Sequence, residues 1–183
     1  ECNLVLITLD TLRMDHLHCY GYFRRTSPVI DRLAEKSIFF TNALIQLPTT
    51  LPSHSAILTG LYPQNTGVFR NAGRLDDKFL TLAEILRRNG YRTGAVGSVA
   101  LFYRNSGIQQ GFDDFLRNWD TSETDSGWGG WKVQGDAEEA NRLTFGWLEK
   151  NRKKKFFLWV HYYDIHSPYT EQEGFTDIFD HTS

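Results

Sequence analysis

Three places along the chain carry residue types that could act on an ester. The first is Asp10, the acid that ends the apolar run from Asn3 to Leu9. The second is Thr50, with His54 one helical turn further on. The third is the run His161-Tyr162-Tyr163-Asp164-Ile165-His166, which follows another apolar run. Each has two readings. Asp10 is a turn or capping acid, or a metal-binding or catalytic carboxylate. Thr50 is a cap for the helix that Pro52 starts, or a nucleophile. A hydroxyl at a helix start sits in the positive end of the dipole, where an alkoxide and a bound oxyanion are both favoured. It still needs a base or a metal to activate it, and Asp10 could hold that metal. His54 is a structural helical histidine, or a partner for the nucleophile or for an anionic ester oxygen. His166, beside Pro168, carries the same two readings. His16 and His18 read as surface or supporting groups outside the site.

The elements that must position these groups alternate. NLVLITL (Asn3 to Leu9) is a continuous β-rich apolar run, expected as a strand buried on both faces. Ser27-Pro28 starts a helix whose Val29, Ile30, Leu33 and Ala34 form an apolar stripe. Ile38 to Leu44 (IFFTNAL) reads as a second strand. A helix follows from Pro52 to Gly60, with Thr50 just ahead of it. Thr81 and Glu84 form a capping box for a helix that stops at Gly90. Tyr91 to Val96 is a third strand and Gly107 to Asp114 a loop. Residues 121–135, with Trp128 and Trp131, form a polar exposed excursion. Asp136 caps a helix that buries Ala140, Leu143, Trp147 and Leu148, and Phe156 to Val160 is a fourth strand. This order predicts an α/β fold with a largely parallel sheet flanked by helices. Asp10, Thr50 and His166 all fall at strand ends or a helix start, and in a parallel sheet such points converge on one edge.

The composition is that of a globular domain. The 183 residues are 40% hydrophobic and 23% charged, with 13 Phe, 8 Tyr and 5 Trp. That is enough for a sizeable core and unlike a disordered chain. A net charge of −2 argues against a nucleic-acid partner. The basic run Arg152 to Lys155 reads as a solvated turn before a strand. No apolar run is long enough for a transmembrane helix. Cys2 and Cys19 make neither a disulfide framework nor a CxxC pair, so they do not fix a compartment.

In order along the chain, five segments resemble the sulfatase family of the alkaline-phosphatase superfamily. They are NLVLITLDTLRMDHLHCYG, TSPVIDRLAEKSIFFTNAL, TLPSHSAILTGLYPQNTGV, FLTLAEILRRNGYRTGAVG and FFLWVHYYDIHSPY. The resemblance runs from Asn3 to about Tyr169. It implies that residues 1–183 are the N-terminal portion of a sulfatase-like hydrolase domain whose C-terminal half is absent. It also implies one divalent metal ion (Ca, Mg, Mn or Zn), with Asp10 and Thr50 as ligands. Thr50 falls at the nucleophile position and His166 at the substrate-contacting histidine. A small-molecule or glycan ester is the implied substrate.

Several positions depart from the family pattern. The second acid of the strand-end pair is Thr11, the arginine of the signature is His54, and the lysine and histidine expected after the third strand are absent from Gly97 to Leu101. Typical sulfatases convert Cys or Ser to formylglycine. Thr50 cannot give that aldehyde, so no formylglycine is expected. Threonine nucleophiles occur in phosphoryl-transferring relatives. The expected mechanism is in-line attack by Thr50, its pKa lowered by a metal on Asp10, with the ester oxygens resting on the helix start, His54 and His166. The alternatives are a phosphodiesterase or phosphotransferase of the same superfamily and a catalytically silent sulfatase-like fragment. Asp177, Asp180 and His181 read as linker rather than as replacement metal ligands.

Overall fold

The computed structural model describes residues 2–103, 105–118 and 135–169, with Gly174 and Ile178. The excursion expected over 121–135, except Gly135, and the residues Asp177, Asp180 and His181 lie outside the described residues.

Four strands form one parallel sheet in the order β1-β4-β2-β3: β1 Leu4–Leu9, β2 Arg92–Gly97, β3 Asp114–Arg117 and β4 Phe156–Tyr162. Five helices accompany it among the described residues: α1 Pro28–Ala34, α2 Thr50–Thr59, α3 Pro63–Thr66, α4 Leu82–Arg88 and α5 Ala137–Asn151. The expected α/β architecture with a parallel sheet is therefore present.

The alternation of β4 sorts the core into two halves. Phe157 and Trp159 face one side and pack with Leu51 and Leu58 of α2, Ala83 of α4, Ala95 and Phe102. Phe156, Leu158 and Val160 face the other side and meet Ala140 and Trp147 of α5. Close docking of α5 depends on Gly94 of β2, because a Cβ there would lie 2.5 Å from the Trp147 ring. The Trp147 indole N–H donates to Asp114 at 2.8 Å, and Arg92 pairs with both oxygens of the same carboxylate.

The helix ends follow local rules. Thr81 and Glu84 make the reciprocal capping box, Asp136 accepts from the Glu139 N–H at 2.8 Å, and Gly90 closes α4 at φ +81°. Ser27 precedes α1 without capping it. Its hydroxyl donates to Asp31 and accepts from the His18 N–H.

Four expectations need correction. Residues 38–44 form no strand and have no sheet neighbour among the described residues, and Ile38 and Leu44 are each 86% exposed. The stripe on α1 is not buried, since Val29 and Leu33 face solvent. β1 is an edge strand among the described residues, and Leu4, Val5 and Ile7 are exposed rather than buried on both faces. Asp114 opens β3, a short strand whose pairing to β2 outweighs its weak local pattern. No helix among the described residues is long and apolar enough to cross a membrane.

Candidate functional site

Two rows of side chains run along neighbouring strands to the carboxyl edge of the sheet. The parallel register sets Leu6 beside Trp159 and Thr8 beside His161. Leu6 and Thr8 lie on the α2 side, where Leu6 packs on the core and Thr8 accepts from the Trp159 indole at 3.0 Å. The same period of two carries Asp10 onto this side, next to His161. The main chain fixes the junction further, because the Asp10 N–H donates to the Tyr162 carbonyl at 3.0 Å. Thr11 takes up the left-handed conformation (φ +58°), and its hydroxyl donates to the Ile165 carbonyl at 3.0 Å. A β-branched residue is strained there. This position, expected to carry a second metal acid, instead ties the end of β1 to the loop after β4.

α2 brings Thr50 to the same place. The helix begins at Thr50 itself, one residue beyond its cap Thr49, not at Pro52. Pro52 sits in the first turn, where a missing N–H costs nothing. The Leu51 N–H is taken by the Asn71 side chain at 3.0 Å. Of the helix-start donors expected to receive an oxyanion, the Thr50 N–H and the dipole therefore remain. The Thr50 side chain lies near enough to the Asp10 carboxyl to help hold it below its ordinary value, which brings together the first two of the three places picked out in the sequence.

The electrostatics follow from burial. Desolvation pushes the Asp10 carboxyl up. Hydrogen bonding and charge from His161 outweigh it, with smaller contributions from His54 and Thr50, and hold the group below the ordinary carboxylate value. His54 is pulled down to about 4, chiefly by burial and then by the charge of His161. Its Nδ1 lies 2.7 Å from the Thr50 carbonyl oxygen, which can only accept, so Nδ1 carries the hydrogen. At neutral pH this side chain is an uncharged imidazole bracing the Thr50 backbone, not the cationic contact that a signature arginine would provide. The His54 ring packs against Phe102 (5.2 Å between centroids), Trp159 (5.6 Å) and His161 (5.0 Å).

His166 reaches the site indirectly. It stacks on Tyr163 at 4.2 Å and 15°, and its Nδ1 meets the Ser167 carbonyl. Burial, and then the charge of Asp10, push the Tyr163 hydroxyl up to about 12, which places that ring within the field of the carboxylate.

Three supporting residues, Asn71, Ser98 and Asn118, escaped the sequence reading. Asn71 is an ordinary loop asparagine until α2 is placed above it. Ser98, at the position expected to be cationic, is buried and donates to the His161 carbonyl, while Asn118 donates to Ser98 at 3.0 Å. His161 is fully buried, with Nε2 3.3 Å from Asp10 Oδ2. The sequence marked it only as the first residue of the run His161 to His166, without a role of its own.

Asp10 and Thr50 offer hard oxygen atoms of the kind that suit Mg²⁺, Ca²⁺ or Mn²⁺. They make up part of a shell only: among the described residues no three His, Cys, Asp or Glu side chains converge to hold a metal ion.

Comparison with known proteins identifies the family. The sulfatase family model matches residues 2–183. An N-acetylgalactosamine-6-O-sulfatase of Bacteroides thetaiotaomicron is 40% identical over 100 residues, 52% of this chain and 20% of the relative. A steryl-sulfatase of Rattus norvegicus is 34% identical over 157 residues, 75% of this chain and 27% of the relative. The solved phosphonate monoester hydrolase of Agrobacterium radiobacter shares the fold at a TM-score of 0.78 and 21% identity, covering 98% of this chain and 44% of that one. The chain thus spans about a fifth to a quarter of these two curated relatives' length. From Asp10 at the end of β1 to His166 beyond β4, the chain belongs to the sulfatase family.

Proposed function

We propose that this chain forms the N-terminal part of a hydrolase that cleaves sulfuric esters or phosphoesters by attack of the Thr50 hydroxyl. The observation that carries the proposal is the meeting of Thr50, at the first residue of α2, with the Asp10 carboxylate. Asp10 accepts the Thr50 hydroxyl hydrogen, which turns the oxygen lone pairs towards an incoming ester. His54 fixes the Thr50 carbonyl and, with Phe102 and Trp159, keeps water from the inner side. The start of α2 receives the ester oxygens, and His166 contacts the substrate from the β4 loop. A divalent cation held on the oxygens of Asp10 and Thr50, with ligands beyond these two, would lower the pKa of the hydroxyl when bound. Thr50 gives up its hydroxyl proton as its oxygen bonds to sulfur or phosphorus, the ester's alcohol leaves with a proton, and water then cleaves the enzyme ester to release sulfate or phosphate and restore Thr50.

Two features favour phosphorus among the substrates. Threonine cannot become formylglycine, and the related fold of a phosphonate monoester hydrolase accommodates phosphorus chemistry. The name of the N-acetylgalactosamine-6-O-sulfatase relative supports a glycan ester as the sulfur-based choice. Aryl sulfate, phosphate monoester and phosphodiester substrates, each assayed with several divalent metals, separate these outcomes. Thr50→Ala is expected to lower turnover by about 10³-fold or more. Activity equal to the parent in that variant would remove Thr50 from the mechanism. A second reading, a catalytically silent domain, is favoured by the two-donor metal set and by Thr11 in place of an acid. Failure to bind any divalent ion, together with no turnover, would select it.

A further inference from the structure

His161 is a buried polar side chain that the attack of Thr50 does not use. It stands third in the row Phe157, Trp159, His161, where an apolar residue would fit the surroundings better. Its Nδ1 has no hydrogen-bond partner among the described residues. A buried polar atom left in that state costs about 1–3 kcal/mol. The other ring nitrogen, Nε2, lies 3.3 Å from Asp10 Oδ2. An ionised carboxylate only accepts, so the hydrogen belongs on Nε2.

The ring is held from several sides. Phe102 meets it edge-on at 4.8 Å and His54 at 5.0 Å, while Tyr163 lies tilted at 6.1 Å. Its carbonyl receives the Ser98 hydroxyl, which Asn118 holds in turn. Asp10, by contrast, stands just past the end of β1, next to the strained Thr11. A carboxylate in a turn rotates about its side-chain bonds unless a donor stops it.

We propose that His161 is a positioning residue, a rigid N–H donor that fixes one Asp10 oxygen so that the rest of the carboxylate faces Thr50. The proposal rests on the reading of Asp10 and Thr50 as the reacting pair. It gives the unsatisfied Nδ1 a reason: the fold tolerates one orphaned nitrogen because the other is needed at Asp10.

The test compares two substitutions of similar volume. His161→Gln places an amide N–H close to the position of Nε2, whereas His161→Leu fills the space without a donor. Supporting partners of this kind are typically worth about 10- to 100-fold in activity or metal affinity. His161→Leu is therefore expected to lower kcat by that factor with KM little changed, and to melt no lower than the parent. His161→Gln is expected to restore most of the loss. Long-range ¹H–¹⁵N NMR of the chain, with or without turnover, is expected to find the hydrogen on Nε2 of His161. A bare Nε2, a His161→Leu protein with parental kcat, or a His161→Gln protein as impaired as His161→Leu would each overturn the proposal. The last result would make the imidazole itself a ligand or reactant. Failure of the Thr50 reading shows separately, as turnover that survives Thr50→Ala. The NMR result then decides on His161 alone.

Discussion

The face of the sheet beneath α2 and α4 and the surface made by the outer side of β1, α1 and residues 38–45 draw on the same residue types. On the first, Trp159, Phe157, Leu51 and Phe102 are wholly withdrawn from water. On the second, Val5, Ile7, Leu33, Phe40, Leu44 and Ile45 stand in it. Apolarity qualifies a segment for burial, but a partner decides it. β4 has a strand on each side and a helix layer on each face, so every apolar residue along it finds contacts. Among the described residues β1 is paired with one strand, and residues 38–44 with none. The candidate site lies on the border between the two regions, with Asp10 at the end of the edge strand and Thr50 and His161 anchored in the packed half.

The contrast can be broken by substitution. Trp159→Ala should cost about 3–5 kcal/mol in urea unfolding, because it removes the largest side chain of the packed face. A cost below about 1 kcal/mol would mean that this face is not a true core. Acidification should act on the same half. His54 has a folded pKa near 4 against an ordinary value of 6.5, so the uncharged form is the one the fold favours. Its contribution is fully present above about pH 6.5 and is lost as the pH falls through 4. By linkage it amounts to at most roughly 3 kcal/mol. His54→Asn keeps a donor for the Thr50 carbonyl and should flatten the stability curve across that window; an unchanged slope would place the titration elsewhere. Gly94→Ala should cost about 1–3 kcal/mol by forcing α5 away from β2, and loss of the Trp147–Asp114 contact would show in tryptophan fluorescence. Phe40→Ser and Leu44→Ser should change stability by no more than about 0.5 kcal/mol and reduce self-association in light scattering. A loss as large as that for Trp159→Ala would show that residues 38–45 are packed in solution and would erase the contrast.

The same border divides what could be read from the sequence. The capping residues Thr81, Glu84 and Asp136 were legible because a cap and its partner lie three residues apart. So were α5 and β4, whose periodicities match what they bury. Residues 38–44 carry a strand pattern as strong as that of β2, yet pairing is a property of two segments and this one has no neighbour in the sheet. β3 shows the converse, a weak pattern held by the register Gly94–Asp114 to Gly97–Arg117. In the site, Asp10, Thr50, His54 and His166 stood out by residue type and position. His161 stood out only as the start of its run and received no role, because its meaning comes from Asp10, 151 positions away. The neutral state of His54 was hidden for the same reason: it follows from Phe102 and Trp159, which no local motif links to it.

The parallel pairing of β1 with β4 also sets a timetable. A chain emerges from the ribosome amino end first, at about 5–20 residues per second. The stretch from Asp10 to His161 therefore takes on the order of 10–30 s to appear. Until then Leu4, Val5 and Ile7 have no strand beside them, and Asp10 has no imidazole to hold it. For that interval the newborn polypeptide carries β1 as an unpaired apolar segment. Chaperones that bind extended apolar segments would find a target there.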